Sequence, residues 1–299
     1  MPETRISPDT DRPRQLSGRL QYAYDDDVDP SDVADLLTGR RWLVLTGAGM
    51  STDSGIPDYR GPDQKRRIEP MTIQEFRGSA GARQRYWARS FIGWRNFASA
   101  RPNAGHLAVT DLQRAGVTGP IITQNVDGLH QAAGSRDVVE LHGSLARVIC
   151  LSCGADLPRT ELDARIADAN PDFHPTTSEI RPDGDVSLEQ IDVDRFVSPR
   201  CWRCGEDQLK PDVVFFGEGV VRPIVDHCYQ LVADAEALLV LGSSLTVMSG
   251  LRFVRRAVAR ELPVAVWTVG STRADELGVR RLNAPLSPAL GAAAELLQD

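Results

Sequence analysis

The chain has 299 residues, 41% of them hydrophobic and 25% charged, and 41 acidic against 34 basic side chains give a formal net charge of −7. That balance argues against a general nucleic-acid binder, and the absence of any run of about 18 apolar residues argues against a membrane span. The N-terminus (MPETRISPDTDRPRQ) lacks the apolar core of a secretory signal, so the expectation is a cytoplasmic, monomeric protein with neither membrane nor nucleic acid as partner.

Residues 1–30 are polar and rich in Asp, Arg and Pro, and read as a loosely ordered lead-in. Pro30 opens a helix that Gly39 stops. Short apolar runs then alternate with amphipathic stretches. The predicted strands are Trp42–Thr46, Pro120–Thr123, Val138–Leu141, Leu238–Gly242 and Val264–Thr268; the predicted helices cover 106–115, 223–236 and 250–261. Continuous apolar strands alternating with helices imply a parallel sheet covered on both faces. The fold class is therefore α/β, a Rossmann-like sheet, with two insertions. One is helical and aromatic, around Arg83–Phe97. The other begins and ends with a cysteine pair. The expected division is a Rossmann-like domain from 31–60, 106–149 and 210–299, a helical insert at 61–105 and a zinc-binding module at 150–209.

Gly47-Ala48-Gly49-Met50-Ser51 directly follows the first strand, where glycines let backbone N–H groups approach a pyrophosphate. The dehydrogenase fingerprint GxGxxG fails, because Thr52 holds its third glycine position and the region beyond is basic (Lys65, Arg66, Arg67). The loop fits either a dinucleotide or a plain tight turn. Cys150-Leu151-Ser152-Cys153 and Cys201-Trp202-Arg203-Cys204 are matched knuckles, and four thiolates make a closed, structural zinc site. The chain has 5 cysteines, and the fifth, Cys228, falls on an apolar helix face as a buried thiol.

Three further strand ends carry polar groups. Gln124, Asn125 and Asp127 follow the second strand, as a ligand edge or as a turn capping the next helix. His142 follows the third, as a general base near neutral pH or as a structural histidine. Gly242, Ser243 and Ser244 end the fourth, on the ribose side of a nucleotide or as a helix cap. Lys210–Glu218 (KPDVVFFGE) reads as a short extended segment, either a core strand or an edge for pairing with a peptide.

In order, GAGMS (47–51), GIPDYR (55–60), TQNVDGLH (123–130), His142-Gly143, the cysteine pairs, KPDVVFFGE (210–218) and GSSL (242–245) resemble the sirtuin family of NAD-dependent protein-lysine deacylases. The closer detail, in Pro57-Asp58-Tyr59-Arg60, RQRYWARSFIGW (83–94), PDGDV (182–186) and Gly250-Leu251-Arg252-Phe253, resembles the class II branch, which includes a mitochondrial sirtuin with lipoamidase and ADP-ribosyltransferase reports. The resemblance implies NAD as co-substrate and one structural zinc ion, held by Cys150, Cys153, Cys201 and Cys204. It implies Gly47, Ala48, Gly49 and Ser51 at the diphosphate, with Asp58, Tyr59 and Arg60 on a cofactor loop and Ile56 beside the nicotinamide. Gln124, Asn125 and Asp127 would hold the nicotinamide ribose and carboxamide. Gly242, Ser243, Ser244 and Thr268 would meet the adenosine end. Thr268 stands where the family often has Asn, and Val247-Met248-Ser249-Gly250 lacks a proline common elsewhere in the family.

The catalytic residues implied are His142, as general base, and Asn125. An acyl-lysine protein or peptide would lie along Val213, Phe215, Phe216 and Gly217. Tyr86 and Arg89 are spaced as in a branch that recognises acidic acyl groups; a helix-surface arginine is the plainer reading. The reaction implied is acyl transfer to ADP-ribose with release of nicotinamide. Two alternatives are a protein mono-ADP-ribosyltransferase using the same pocket and a non-catalytic, zinc-containing NAD sensor.

Overall fold

The structure is a computed structural model that describes residues 28–59, 70–174 and 190–297. Residues 1–27 of the lead-in, Arg60, the basic Lys65-Arg66-Arg67 and PDGDV at 182–186 lie outside the described residues. The described chain opens with α1 (Pro30–Leu37), whose first turn is capped by the Asp29 carboxylate, and β1 (Trp42–Thr46). Two insert helices follow, α2 (Ile73–Gly78) and α3 (Ala80–Ser99), capped by the Thr72 and Ser79 hydroxyls. Then come α4 (Ala104–Arg114), β2 (Thr118–Thr123), the one-turn α5 (Leu129–Ala132) and β3 (Val138–Glu140). Next are β4 (Gly143–Cys150), β5 (Asp156–Pro158), α6 (Arg159–Ala169), α7 (Gln190–Arg195) and β6 (Leu209–Val213). The chain closes with α8 (Arg222–Asp234), β7 (Ala237–Leu241), α9 (Met248–Ala259), β8 (Val264–Trp267), β9 (Arg280–Leu282) and α10 (Ser287–Leu296).

Six strands form one parallel sheet in the order β3-β2-β1-β7-β8-β9. Successive strands move outward on one side of β1 and then, from β7, on the other. The strand order therefore reverses between β1 and β7, the place where open α/β sheets bind ligands. Side chains alternate across the sheet with the strand period of two. Trp42, Val44, Leu239, Leu241, Ala265 and Trp267 pack with α1, α4 and α10. Leu43, Leu45, Leu238, Val240, Val264 and Val266 pack with α8 and α9, including Cys228, whose thiol burial pushes up to about 11.

A second, three-stranded antiparallel sheet has the order β5-β4-β6. Its core joins both insertions: Phe76, Tyr86, Trp87 and Phe91 of the helical insert pack with Val148, Leu157, Leu162, Phe196 and the knuckle residues Cys150 and Cys201. The fully buried Arg159 guanidinium lies between Trp87 and Trp94, 5.2 and 5.1 Å from the ring centres, and donates to Ser90 Oγ and O. The long apolar face of α3 is thus spent on the small sheet, and the two insertions form one body.

β4 leaves the parallel sheet directly after His142, through Gly143. Gly143 has φ +78°, and a Cβ there would fall 2.0 Å from the Asp212 carbonyl oxygen. Backbone cannot yield at that distance, so only glycine lets β6 cross β4 beside the histidine. Gly143→Ala is expected to cost about 3 kcal/mol or more and to lower the melting midpoint by roughly 10 °C, as read by calorimetry. An unchanged midpoint would show that the crossing relaxes freely.

Candidate functional site

The carboxyl ends of β1, β2 and β7 converge on one cavity of about 430 Å³. β1 ends in Gly47-Ala48-Gly49, which turns tightly against the end of β7. Gly49 N–H donates to Gly242 O at 2.8 Å, and Gly47 N–H to Leu241 O at 3.0 Å. Gly242 has φ +62°, and a Cβ on it would stand 2.3 Å from Met50 N, so a side chain would separate the two strand ends. Met50 turns into the core, while Gly47, Ala48, Gly49 and Ser51 line the cavity.

The end of β2 is pinned to the ends of β1 and β7. Gln124 Nε2 donates to Ser243 Oγ at 2.8 Å and to Thr46 O at 3.2 Å. Asn125 Nδ2 donates to Gly47 O and Ser51 Oγ, each at 3.0 Å. Asp127 accepts from Ser51 Oγ at 2.7 Å and, through its other oxygen, from Leu129 N at 2.9 Å. Burial pushes the Asp127 carboxyl above its ordinary range against those hydrogen bonds. The polar run is therefore both a turn that starts α5 and a wall of the cavity.

Beneath this edge lies a buried polar ladder. His130 Nε2 meets Thr46 Oγ1 at 3.1 Å, Thr46 Oγ1 donates to Thr123 Oγ1 at 2.8 Å, and Thr123 Oγ1 accepts from Asn125 N at 3.1 Å. The His106 ring stacks edge-on to His130, with centroids 4.9 Å apart. Burial pushes His106 down to about 4 and His130 to about 3, the latter helped by His106.

His142 stands where β3 ends and β4 begins. Its Nδ1 lies 2.9 Å from the Gln124 carbonyl oxygen and its Nε2 2.8 Å from Ser249 Oγ. A carbonyl only accepts, so Nδ1 carries the proton and Nε2 offers its lone pair. Burial, with the nearby Arg252, lowers the pKa of the ring and keeps it neutral. A neutral imidazole with a fixed tautomer at a cavity wall can take up a proton at Nε2.

Opposite lies the segment after β6, the outer strand of the small sheet. Val214 N donates to His142 O, Phe216 O accepts from Ile73 N, and Phe215 N donates to Glu218 Oε2. The nearly buried Lys210 ammonium bonds Val213 O at 2.6 Å and pairs with Glu218 at 3.1 Å. Val213, Phe215, Phe216 and Gly217 all line the cavity, but these bonds leave only the remaining backbone groups for a second chain.

Ile56, Asp58, Tyr59, Gln124, Asn125, Asp127, Gly242, Ser243, Ser244 and Thr268 line the same cavity, and Tyr59 meets Phe216 edge-on at 5.8 Å. Tyr86 also reaches its wall, from an aromatic cluster with Phe76, Trp87 and Phe215. Arg89, one turn on, is half-buried and is not among the lining residues. Ser249 and Arg252, and the apolar Met71, Phe97 and Leu145, were not singled out as site residues from sequence. Phe97 and Leu145 pack with Ile56 and Leu129 in a small core between the two sheets. Their apolar character reads as ordinary core in the sequence.

The four knuckle cysteines meet at the far end of the small sheet. Their sulfurs all lie within 4.8 Å of one another, with Cys150–Cys204 and Cys153–Cys201 at 3.7 Å. All are unpaired thiols. Thiolates at about 2.3 Å from a tetrahedral zinc ion stand about 3.8 Å apart, so the donor set and its spacing fit zinc.

Two outcomes follow from these clusters. A folded pKa lowered by burial favours the state with neutral histidine, so His106 and His130 contribute stability above about pH 6.5 that is lost as pH falls toward 4 and 3. Urea midpoints should drop over that window, at up to ~1.4 kcal/mol per pH unit for each histidine, and His106→Asn should flatten the slope. Metal analysis should find one zinc per chain, and Cys201→Ser should abolish it and lower the melting midpoint by roughly 10 °C. A metal-free protein of unchanged midpoint would refute the zinc assignment.

Residues 47–249 match the Sir2 family. NAD-dependent protein deacetylase 1 of Streptomyces coelicolor is 55% identical over 271 residues, 90% of each chain. NAD-dependent protein deacetylase 1 of Mycobacterium avium is 48% identical over 267 residues, 88% of this chain and 93% of the relative. Among solved structures, a complex of Sir2 with a p53 peptide and NAD+ superposes with a TM-score of 0.67 at 26% identity, covering 91% of this chain and 98% of that one. A structure of a Sir2 homologue with NAD gives 0.67 at 26% identity, covering 93% and 96%. With its parallel sheet, its four-cysteine module and more than half its length matched, the chain belongs to the Sir2 (sirtuin) family.

Proposed function

We propose that the protein is an NAD-dependent protein-lysine deacylase that transfers the acyl group to ADP-ribose and releases nicotinamide. The observation that carries this reading is the neutral His142 imidazole, its Nδ1 proton fixed on Gln124 O, set between the glycine corner and the segment after β6. When bound, NAD supplies an anomeric carbon with a cationic leaving group. The acyl-lysine oxygen can attack it without losing a proton. The base is needed only afterwards, when a ribose hydroxyl must attack the acyl carbon.

The chain's own residues divide that work. Gly47, Ala48, Gly49 and Ser51 take the diphosphate at the glycine corner, where the Gly47, Gly49 and Ser51 N–H groups bond the Leu241, Gly242 and Ala48 carbonyls and hold the turn in shape. Gln124, Asn125 and Asp127 orient the nicotinamide ribose and carboxamide, Ile56 shields the ring, and Asp58 and Tyr59 cover it; Arg60, the further cofactor contact implied by the sequence, lies outside the described residues. Gly242, Ser243, Ser244 and Thr268 receive the adenosine end. Val213, Phe215, Phe216 and Gly217 hold the substrate chain by strand addition. His142 takes the ribose hydroxyl proton, and Asn125 is the second catalytic residue. Zinc, held by Cys150, Cys153, Cys201 and Cys204, is structural, since four thiolates leave no open position for water.

The acyl-side wall of Tyr86, Phe97, Leu145 and Phe215 suits an uncharged acyl chain such as acetyl. Arg89 stays off that wall, which disfavours an acidic acyl preference through that residue. Within the family, the likeness of Pro57-Asp58-Tyr59-Arg60, the segment 83–94, PDGDV at 182–186 and Gly250–Phe253 supports a position near the class II branch. The domain division is 31–60, 106–149 and 210–299 for the Rossmann-like part, 61–105 for the helical insert and 150–209 for the zinc module. The sequence reading of a cytoplasmic monomer acting on proteins, without nucleic acid or membrane as partner, completes the proposal; no described helix is long and apolar enough to cross a membrane.

His142→Ala is expected to reduce deacylation of an acetyl-lysine peptide by about 10²–10⁴-fold, while exchange of labelled nicotinamide into NAD persists. Mass spectrometry of peptide and acylated ADP-ribose reads the first, scintillation counting the second. Undiminished deacylation by the variant would remove His142 from the mechanism, and adenine label ending on protein would favour ADP-ribosyl transfer.

A further inference from the structure

The Val247–Gly250 stretch places a hydroxyl directly on the histidine. Ser249 lies in the first turn of α9, is 9% exposed and lines the cavity beside His142. Its hydroxyl does not cap the helix, whose start has no side-chain cap. Instead its Oγ stands 2.8 Å from His142 Nε2.

The direction of that bond is decided from the other side of the ring. Nδ1 must donate to the Gln124 carbonyl, so in the neutral ring Nε2 has only its lone pair, and Ser249 O–H must donate to it. That lone pair is the sole basic site of the ring. A substrate hydroxyl therefore reaches the base through the serine oxygen, whose own lone pairs remain able to accept, unless it first breaks a buried hydrogen bond.

We propose that Ser249 is a further catalytic residue, a hydroxyl relay that fixes His142 Nε2 and carries the substrate proton to it. This rests on reading His142 as the base. In the step, the O–H bond of the attacking hydroxyl breaks and its electron pair forms the new bond to the acyl carbon. Its proton passes to Ser249 Oγ as the serine's own proton passes to Nε2. The serine ends unchanged, and the imidazole ends as imidazolium, held by Gln124 O and Ser249 Oγ.

The test compares Ser249→Ala and Ser249→Thr with wild type and His142→Ala. In the ligand-free enzyme, the ¹⁵N resonance of His142 Nε2, assigned by its loss in His142→Ala, should move toward that of an unbonded imine nitrogen in Ser249→Ala. Ser249→Thr, which keeps the hydroxyl, should return it. With acetyl-lysine peptide and NAD, Ser249→Ala should lose about ten-fold or more in deacylation turnover with KM for NAD within two-fold. Nicotinamide exchange should fall far less, and Ser249→Thr should recover most of the turnover. Wild-type turnover in Ser249→Ala, an unmoved Nε2 resonance, or equal losses of exchange and deacylation would each overturn the relay. If His142→Ala deacylates normally, the base assignment itself falls and the relay with it; loss in His142→Ala with wild-type Ser249→Ala would remove only the relay.

Discussion

Everything at the cavity depends on how closely the end of β1 approaches the end of β7. The two strand ends touch through backbone alone, with Gly49 N–H on Gly242 O at 2.8 Å and no room for a Cβ on Gly242. That contact holds the Gly47 carbonyl where Asn125 can donate to it and Ser243 Oγ where Gln124 can reach it. The Gln124 carbonyl in turn fixes the His142 ring. A side chain at Gly242 would therefore disturb the histidine through three successive hydrogen-bonded steps, although the two residues do not touch. The buried His130–Thr46–Thr123 ladder braces the same edge from beneath.

The second sheet shows why the cysteine module is needed so far from the chemistry. At about 3.3 Å per residue, the 8 residues of β4 can carry the chain up to roughly 26 Å from His142 to Cys150. A closed metal site at that distance takes no part in bond making. It clamps the far end of β4 close to the end of the loop that precedes β6, and so sets the course of β6. The near end of β6 then delivers Val213 to Gly217 to the cavity, where Lys210 and Glu218 fold the segment onto itself. The insert helix α3 covers the same sheet and closes the cavity wall with Tyr86 and Phe97.

Much of this was legible in the sequence because the parallel strands are continuous apolar runs. β1 matches its predicted span, β2, β3 and β8 differ from theirs by one or two residues at one end, and β7 by one residue at each end, where strand boundaries depend on partner registry. The edge strand β9, with two arginines in three residues, gave no apolar signal, since a strand bonded on one side tolerates polar residues. β5 was missed because its three residues, Asp-Leu-Pro, carry no apolar run, and β4 because it pairs with β6 about 60 residues away while its own sequence mixes polar with apolar residues. The cavity-lining glycines, amides and His142 were readable from their strand-end positions. Ser249 was not, because a lone serine in the first turn of a helix reads as a cap; only the geometry of the His142 ring shows its other use.

The polar groups around the histidine are already satisfied without a ligand. Gln124, Asn125, Asp127, Ser243 and His142 each have protein partners between 2.7 and 3.2 Å. A bound molecule that takes up the Gln124 or Asn125 amide protons must therefore exchange hydrogen bonds, not simply add them, and the net gain per bond is small, about 1 kcal/mol. The loss when a ligand displaces a partner and fails to replace it is larger, about 1–3 kcal/mol for a buried neutral group. Such a site favours selection over raw affinity. A dinucleotide with every hydroxyl and amide in place recovers the exchanged bonds, whereas an analogue missing one leaves a buried group unpaired. Preorganisation also keeps the base still: the ring has no need to search for its tautomer or its rotamer once the substrate arrives.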